Sequence, residues 1–165
     1  MQVPIRKPGK YTHDKLDPHL TEEKFSELKN KLAGLKASQP EAAREVKRLS
    51  EMGDLSENAA YQMAKGHLRS INQKILELED YLHHIVIIKP LGNTDTVQLG
   101  HRVTIETSGK QRTYLILGSS ETDPSQGIIS RNSPIGSAIL GHKVGDIIRI
   151  KTKDTGIECK IIKIE

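Results

Sequence analysis

Residues 61–85 read YQMAKGHLRSINQKILELEDYLHHI, and their spacing decides the first half of the fold. The apolar positions Tyr61, Ala64, Leu68, Ile71, Ile75, Leu78, Leu82 and Ile85 advance by alternating steps of three and four. A strict seven-residue repeat keeps one apolar stripe on one side of a helix and favours a left-handed coiled coil. The preceding segment carries the same phase. Phe25, Leu28, Leu32, Leu35, Ala42, Val46 and Leu49 follow it, with Gln39 the polar exception and Pro40 inside the pattern. Because the phase continues past Pro40, a kink is expected there rather than an end. Thr21 is placed to cap this first helix, with Glu22 and Glu23 favourable in its first turn. Two such segments joined by a short turn must run antiparallel. The reading is a coiled-coil hairpin over 21–90, with arms of about 30 residues and a span of about 45 Å.

The rest of the chain changes period. RVTIET, TYLILG, GIIS, DIIRIKT and ECKIIKI alternate or run apolar as strands do. SPIGSAILG (133–141) suits one short helix, with Ser133 as cap and Pro134 at its first position. The fold class is therefore α+β in two domains. Residues 1–20, with Pro4, Pro8, Gly9 and Pro18, read as a loose tail; 91–96 is a linker and 97–165 the second domain. A chain with 35% hydrophobic residues, one Phe and no Trp suits an elongated element plus a small domain better than one large core.

Charge excludes some classes. The formal net charge of +4 divides evenly between the two halves, with no polybasic block of the kind that reads as a DNA or membrane patch. No apolar run has spanning length and no secretory segment is present, so no membrane partner and a cytoplasmic location are expected. Cys159 is the only cysteine, in an alternating apolar run, and reads as a buried inert thiol. His83 and His84 are adjacent and point to different sides of a helix, which does not make a metal site. Ser119, Ser120 and Cys159 have no evident base to activate them.

The hairpin's tip is GDLSEN (53–58). Asp54 and Glu57 have capping-box spacing, and Gly53 suits a helix C-terminus. The same two carboxylates, held at the end of a stiff arm, could also complete a Mg²⁺ site in another molecule. Capping would hold the turn while leaving outer oxygens free, so both readings stand.

GDLSENAAYQMAK (53–65), LGHRVTI (99–105) and TYLILGSSETDPSQGIISRNSPIGSAILGHKVGDII (113–148) resemble the Gre-type bacterial transcription elongation, or transcript cleavage, factors. The match covers about residues 41–165 and is nearer the GreA branch. The resemblance implies an FKBP-like C-terminal domain docking outside bacterial RNA polymerase, while the coiled coil enters its secondary channel. There it would stimulate cleavage of the nascent RNA 3′ end in backtracked complexes, as a cofactor of polymerase rather than an enzyme. Asp54 would help hold a Mg²⁺ shared with polymerase, and none would bind the isolated protein. Glu57 would orient the attacking water or take its proton. Asn58 and Tyr61 match tip positions, with Tyr61 packing at the end of the coil. Lys47, Arg48 and Lys65 are candidate RNA or polymerase contacts, and Asp123, Ser133 and Pro134 candidate docking residues. Ser50 stands where the family commonly has Arg; Ala60, Asn72 and Lys74 also depart from it. A monomer is expected when free.

Three other functions compete. Ser50 leaves room for a homologue that occupies the channel without promoting cleavage. A prolyl isomerase would need an aromatic-lined site, and Tyr114 is the second domain's only aromatic residue. A plain coiled-coil dimeriser explains the heptads but not the tip or the second domain.

Overall fold

A computed structural model describes residues 17–52, 59–89, 92, 94–151 and 156–165. The first long helix, α1, is Glu22–Ser50 and the second, α2, is Ala59–His83. Thr21 caps α1 as expected, its Oγ1 accepting from the Lys24 N–H at 3.3 Å. The helix runs on through Pro40. Its 29 residues give an arm of about 44 Å.

The heptad stripes face each other. Ile71 and Ile75 are buried, and the remaining repeat positions of α2 are half-buried; on α1 Leu49 is buried and the other seam positions are half-buried. The direction is antiparallel, since Lys36 Nζ meets Glu79 Oε1 at 2.6 Å and Gln39 Nε2 donates to Asn72 Oδ1 at 2.8 Å. Gln39, the polar exception in the first stripe, thus has its partner on the opposing helix. A paired polar group inside an apolar seam fixes alignment at some cost in stability.

The second helix stops short of its last heptad position. After His83 the run Ile85–Ile88 is β-branched and gives up helix for strand. Strand β1 is His19–Leu20 and strand β2 is Val86–Ile87, and the two pair in parallel. The N–H groups of Val86 and Ile88 donate to the carbonyls of Pro18 and Leu20, both at 2.8 Å. Residues 19 and 20, grouped with the tail in the sequence reading, therefore belong to the base of the hairpin.

The C-terminal domain holds the five expected strands: β3 Arg102–Thr107, β4 Lys110–Leu117, β5 Ile128–Ser130, β6 Ile147–Lys151 and β7 Gly156–Ile164. Their order is β5-β4-β3-β7-β6, with β4 and β5 parallel and the other pairs antiparallel. A two-residue turn joins β3 to β4, with φ of 49° at Ser108 and 75° at Gly109, the positive values that suit a tight hairpin. Helix α3, Pro134–Ile139, crosses one face and puts Ile139 into a core with Val103, Ile105, Ile116, Ile148 and Ile161. It lies so close that a Cβ on Gly136 would stand 2.1 Å from the Ser130 carbonyl oxygen, so only glycine fits. Cys159 is in this core, and burial pushes its thiol pKa up, as an inert thiol requires. Among the described residues no helix is long and apolar enough to cross a membrane.

The two domains meet at the hairpin's base through polar bonds. Asp17 accepts from the Ser119 N–H at 3.1 Å, and from the backbone and ring of His19 at 3.1 and 2.9 Å. Arg131 stands against that ring, Nη1 3.2 Å from Nδ1. Glu121 accepts from Thr21, and the Tyr81 hydroxyl donates to the Asp17 carbonyl at 2.9 Å. Burial pulls the Asp17 pKa up. The hydrogen bonds from His19 and Ser119 and the charge of Arg131 outweigh it, holding the carboxyl below its ordinary 3.8.

Two outcomes are expected. In a double-mutant cycle on thermal unfolding, Gln39→Ala and Asn72→Ala should couple by about 1 kcal/mol; zero coupling means the pair does not hold the seam. A depressed carboxylate contributes stability that is complete above its unfolded value and lost as pH falls through its folded value. Thermal stability should therefore decline below about pH 4. Asp17→Asn should start lower at pH 7 and decline less steeply; parallel curves would remove Asp17 from the acid limb.

Candidate functional site

Asp54, Glu57 and Asn58 lie outside the described residues, as does the whole GDLSEN turn. What the structure places are the side chains where the arm approaches it. On α1 the Arg48 guanidinium makes a two-point fork to Glu45, Nε to Oε2 at 2.9 Å and Nη2 to Oε1 at 2.7 Å. These bonds hold the Glu45 pKa below and the Arg48 pKa above its ordinary value. Lys47 Nζ lies 4.0 Å from Glu51. Ser50, at the position where the resemblance leads one to look for Arg, donates its hydroxyl to the Lys47 carbonyl at 2.6 Å and finishes the last turn. On α2 the Lys65 ammonium sits 5.9 Å from the centre of the Tyr61 ring, within cation–π reach. Tyr61 itself is half-buried at the seam.

The three candidate contact cations thus share one end of the arm, and each has a partner. An open groove of about 600 Å³ runs beside Arg48, lined also by Arg44, Glu41, Glu45 and His67. Its two guanidiniums are matched by two carboxylates, so it is not a cationic trough.

In the C-terminal domain the candidate docking residues carry local structure. Asp123 accepts from the Ser125 N–H at 3.0 Å and from Gln126 Nε2 at 2.9 Å, which caps the 3₁₀ turn Pro124–Gln126. The Ser125 hydroxyl bond above all, with these others, holds its pKa below the ordinary carboxylate value against the upward pull of burial. Ser133 caps α3 by accepting from the Gly136 N–H at 3.0 Å, and Pro134 fills the first helical position, both as expected. Beside α3 a pocket of about 320 Å³ has Tyr114 as its one aromatic wall among Ile105, Ile135 and Ile150, with Lys110 and Arg112 at the rim. It lacks the aromatic lining that a prolyl isomerase reading needs.

Sequence reading passed over Asp17, His19, Glu121 and Arg131. Their partners lie up to 112 residues away, and neither period nor spacing reports such pairs. The Arg48 fork was within reach, since Glu45 stands three residues before it on a helix. Among the described residues no group of three or more His, Cys, Asp or Glu side chains could hold a metal ion.

Fold and site together define a two-domain protein in which a stiff helical arm projects from a small α+β domain. Residues 19–87 match the family described as transcription elongation factor, N-terminal, and residues 92–165 match transcription elongation factor, GreA/GreB, C-term. A transcription elongation factor GreA of Thermomicrobium roseum is 39% identical over 79% of this chain and 85% of its own length. One from Macrococcus caseolyticus is 39% identical over 88% of this chain and 94% of its own. A solved structure of GreA factor homolog 1 of Thermus thermophilus is 27% identical, covering 90% of this chain and 99% of that one, with a TM-score of 0.42. The chain belongs to the GreA/GreB family of transcription elongation factors.

Capping makes a direct forecast. Ser133→Ala should lower the stability of the C-terminal domain by about 1 kcal/mol in denaturant unfolding, and Ser133→Asp should restore most of it. No loss in the alanine variant would leave Ser133 free for a purely external role.

Proposed function

We propose that this chain is a transcript cleavage factor: its arm enters the secondary channel of bacterial RNA polymerase and stimulates endonucleolytic cleavage of the RNA 3′ end in backtracked complexes. The observation that carries the reading is membership of the GreA/GreB family across both domains, on a chain whose arm ends in GDLSEN. On this reading carboxylates at the end of an arm of about 44 Å would act inside a partner rather than on the chain's own core.

On this reading Asp54 helps hold a Mg²⁺ ion shared with polymerase, which when bound stabilises charge developing on the phosphodiester. Glu57 takes the proton of the attacking water or orients it. Lys47, Arg48 and Lys65 flank the tip as contacts for RNA or the channel wall. Asp123, Ser133 and Pro134 lie in the region that docks outside. The free protein acts as a monomer in the cytoplasm and is a cofactor of polymerase rather than an enzyme.

A second reading, a channel-occupying inhibitor, draws on Ser50 and on the pairing of Arg48 to Glu45, both of which reduce the free positive charge near the tip.

Labelled RNA in a stalled, backtracked elongation complex separates the two. Wild type should shorten the transcript from its 3′ end in a Mg²⁺-dependent reaction, and Asp54→Ala should lose at least about 100-fold of the stimulation. Binding of both proteins without stimulation by either would establish the inhibitor instead.

A further inference from the structure

The arm is a lever. Over about 44 Å, a rotation of about 2° at its base moves the tip by about 1.5 Å. A misplacement of about 1 Å at reacting groups can cost about 100-fold in rate. Resting on the cleavage reading, the base must therefore be stiff in rotation, and the residues that stiffen it can be named.

We infer that Glu121 is a positioning residue which, with Tyr81, clamps both helices of the arm to the turn Ser119–Glu121 and so sets the arm's direction. At the start of α1, Glu121 Oε2 accepts from the Thr21 N–H at 2.8 Å and its Oε1 from the Thr21 hydroxyl at 2.5 Å. Two bonds from one carboxylate to one residue fix orientation as well as position. Thr21 is the cap of α1, so the carboxylate also lies at the positive end of the helix dipole. The same hydroxyl accepts from the Lys24 N–H, which makes a continuous hydrogen-bonded path from the helix's first turn to the other domain.

Near the end of α2, the Tyr81 hydroxyl bonds Ser120 Oγ at 3.0 Å and the Asp17 carbonyl at 2.9 Å. Ser120 and Glu121 are neighbours in one turn. One attachment would be a pivot; two, on separate helices, block rotation about either. The residue that opens the turn closes the remaining freedom. A Cβ on Gly118 would stand 2.0 Å from the His19 carbonyl oxygen, so backbone rests on backbone there.

The test uses the full chain with nitroxide labels at Lys74→Cys and Glu158→Cys, in a Cys159→Ala background, and pulsed-EPR distances between arm and domain. The distribution should be narrow in the otherwise unaltered chain, broader in Glu121→Gln, and broadest in Glu121→Ala with Tyr81→Phe. In the backtracked-complex assay the double variant's maximal cleavage rate should fall about tenfold or more, with the half-saturating concentration nearly unchanged. An unbroadened distribution in the double variant overturns the clamp. So does a broadened one with undiminished cleavage, because positioning would then be irrelevant to the chemistry. If the parent chain stimulates no cleavage, the functional reading fails by itself, and the EPR distances alone still decide the clamp.

Discussion

Neither long helix could stand in water alone. An isolated helix with an open apolar stripe has too little to offset the entropy of ordering its backbone, and here each stripe is the cover of the other. That mutual burial dictates most of the architecture. Covering one stripe with the other along a single chain requires a hairpin. A hairpin puts its turn at one end and both free helix ends at the other. Ser50 and Ala59, at the other end of the helices, are thereby held away from the C-terminal domain. The near end gathers the start of α1 and the end of α2 within reach of one turn of the C-terminal domain, which is why Thr21 and Tyr81 can both bond to Ser119–Glu121.

Apolar and polar groups divide the work between them. Stability comes from aliphatic side chains: the linear seam of the arm, and an isoleucine-rich core around Ile105, Ile116, Ile139 and Ile161 whose β-branched residues suit a sheet. A thin seam and a small sheet need few aromatics, which accounts for one Phe and no Trp in the chain. Direction comes from polar pairs. Apolar surfaces slide over one another at little cost, whereas a hydrogen bond is lost within a fraction of an ångström. Gln39 with Asn72 aligns helix on helix, and Glu121 with Thr21 aligns arm on domain.

The same division separates what could be read in the sequence from what could not. Steps of three and four placed the seam residues, and alternating or apolar runs placed the five strands of the C-terminal domain, because burial on a regular element leaves a pattern. Ser133 and Pro134 declared their helix because a cap acts over three residues. Gln39 stood out in the stripe, and Asn72 as a departure from the family, yet nothing joined the two until the helices were aligned. The end of α2 was missed because Ile85 fits the heptad; what ended the helix was the strand His19–Leu20 waiting beside Val86. Of the candidate site, Tyr61 is half-buried on the seam stripe that the heptad gives it. The partners of Lys65 and Arg48 lay three or four residues away and were legible in principle.

Those local partners bear on how the arm would meet an anionic surface such as the RNA of the proposed function. Arg48 is held by Glu45, Lys65 by the Tyr61 ring and Lys47 lies near Glu51, which at first sight withdraws all three from use. Yet the Arg48–Glu45 pair is exposed, and exposed pairs contribute little because water screens them. Such a pair costs little to exchange. A phosphate offers Arg48 the same two-point geometry that Glu45 does, and with greater charge. The side chain would meet it already extended and oriented, with part of its rotational entropy already lost. On the proposed function, pairing at this end of the arm would lower the free charge at rest yet keep the cations in order for exchange, and Ser50 would remove one donor without disabling the others.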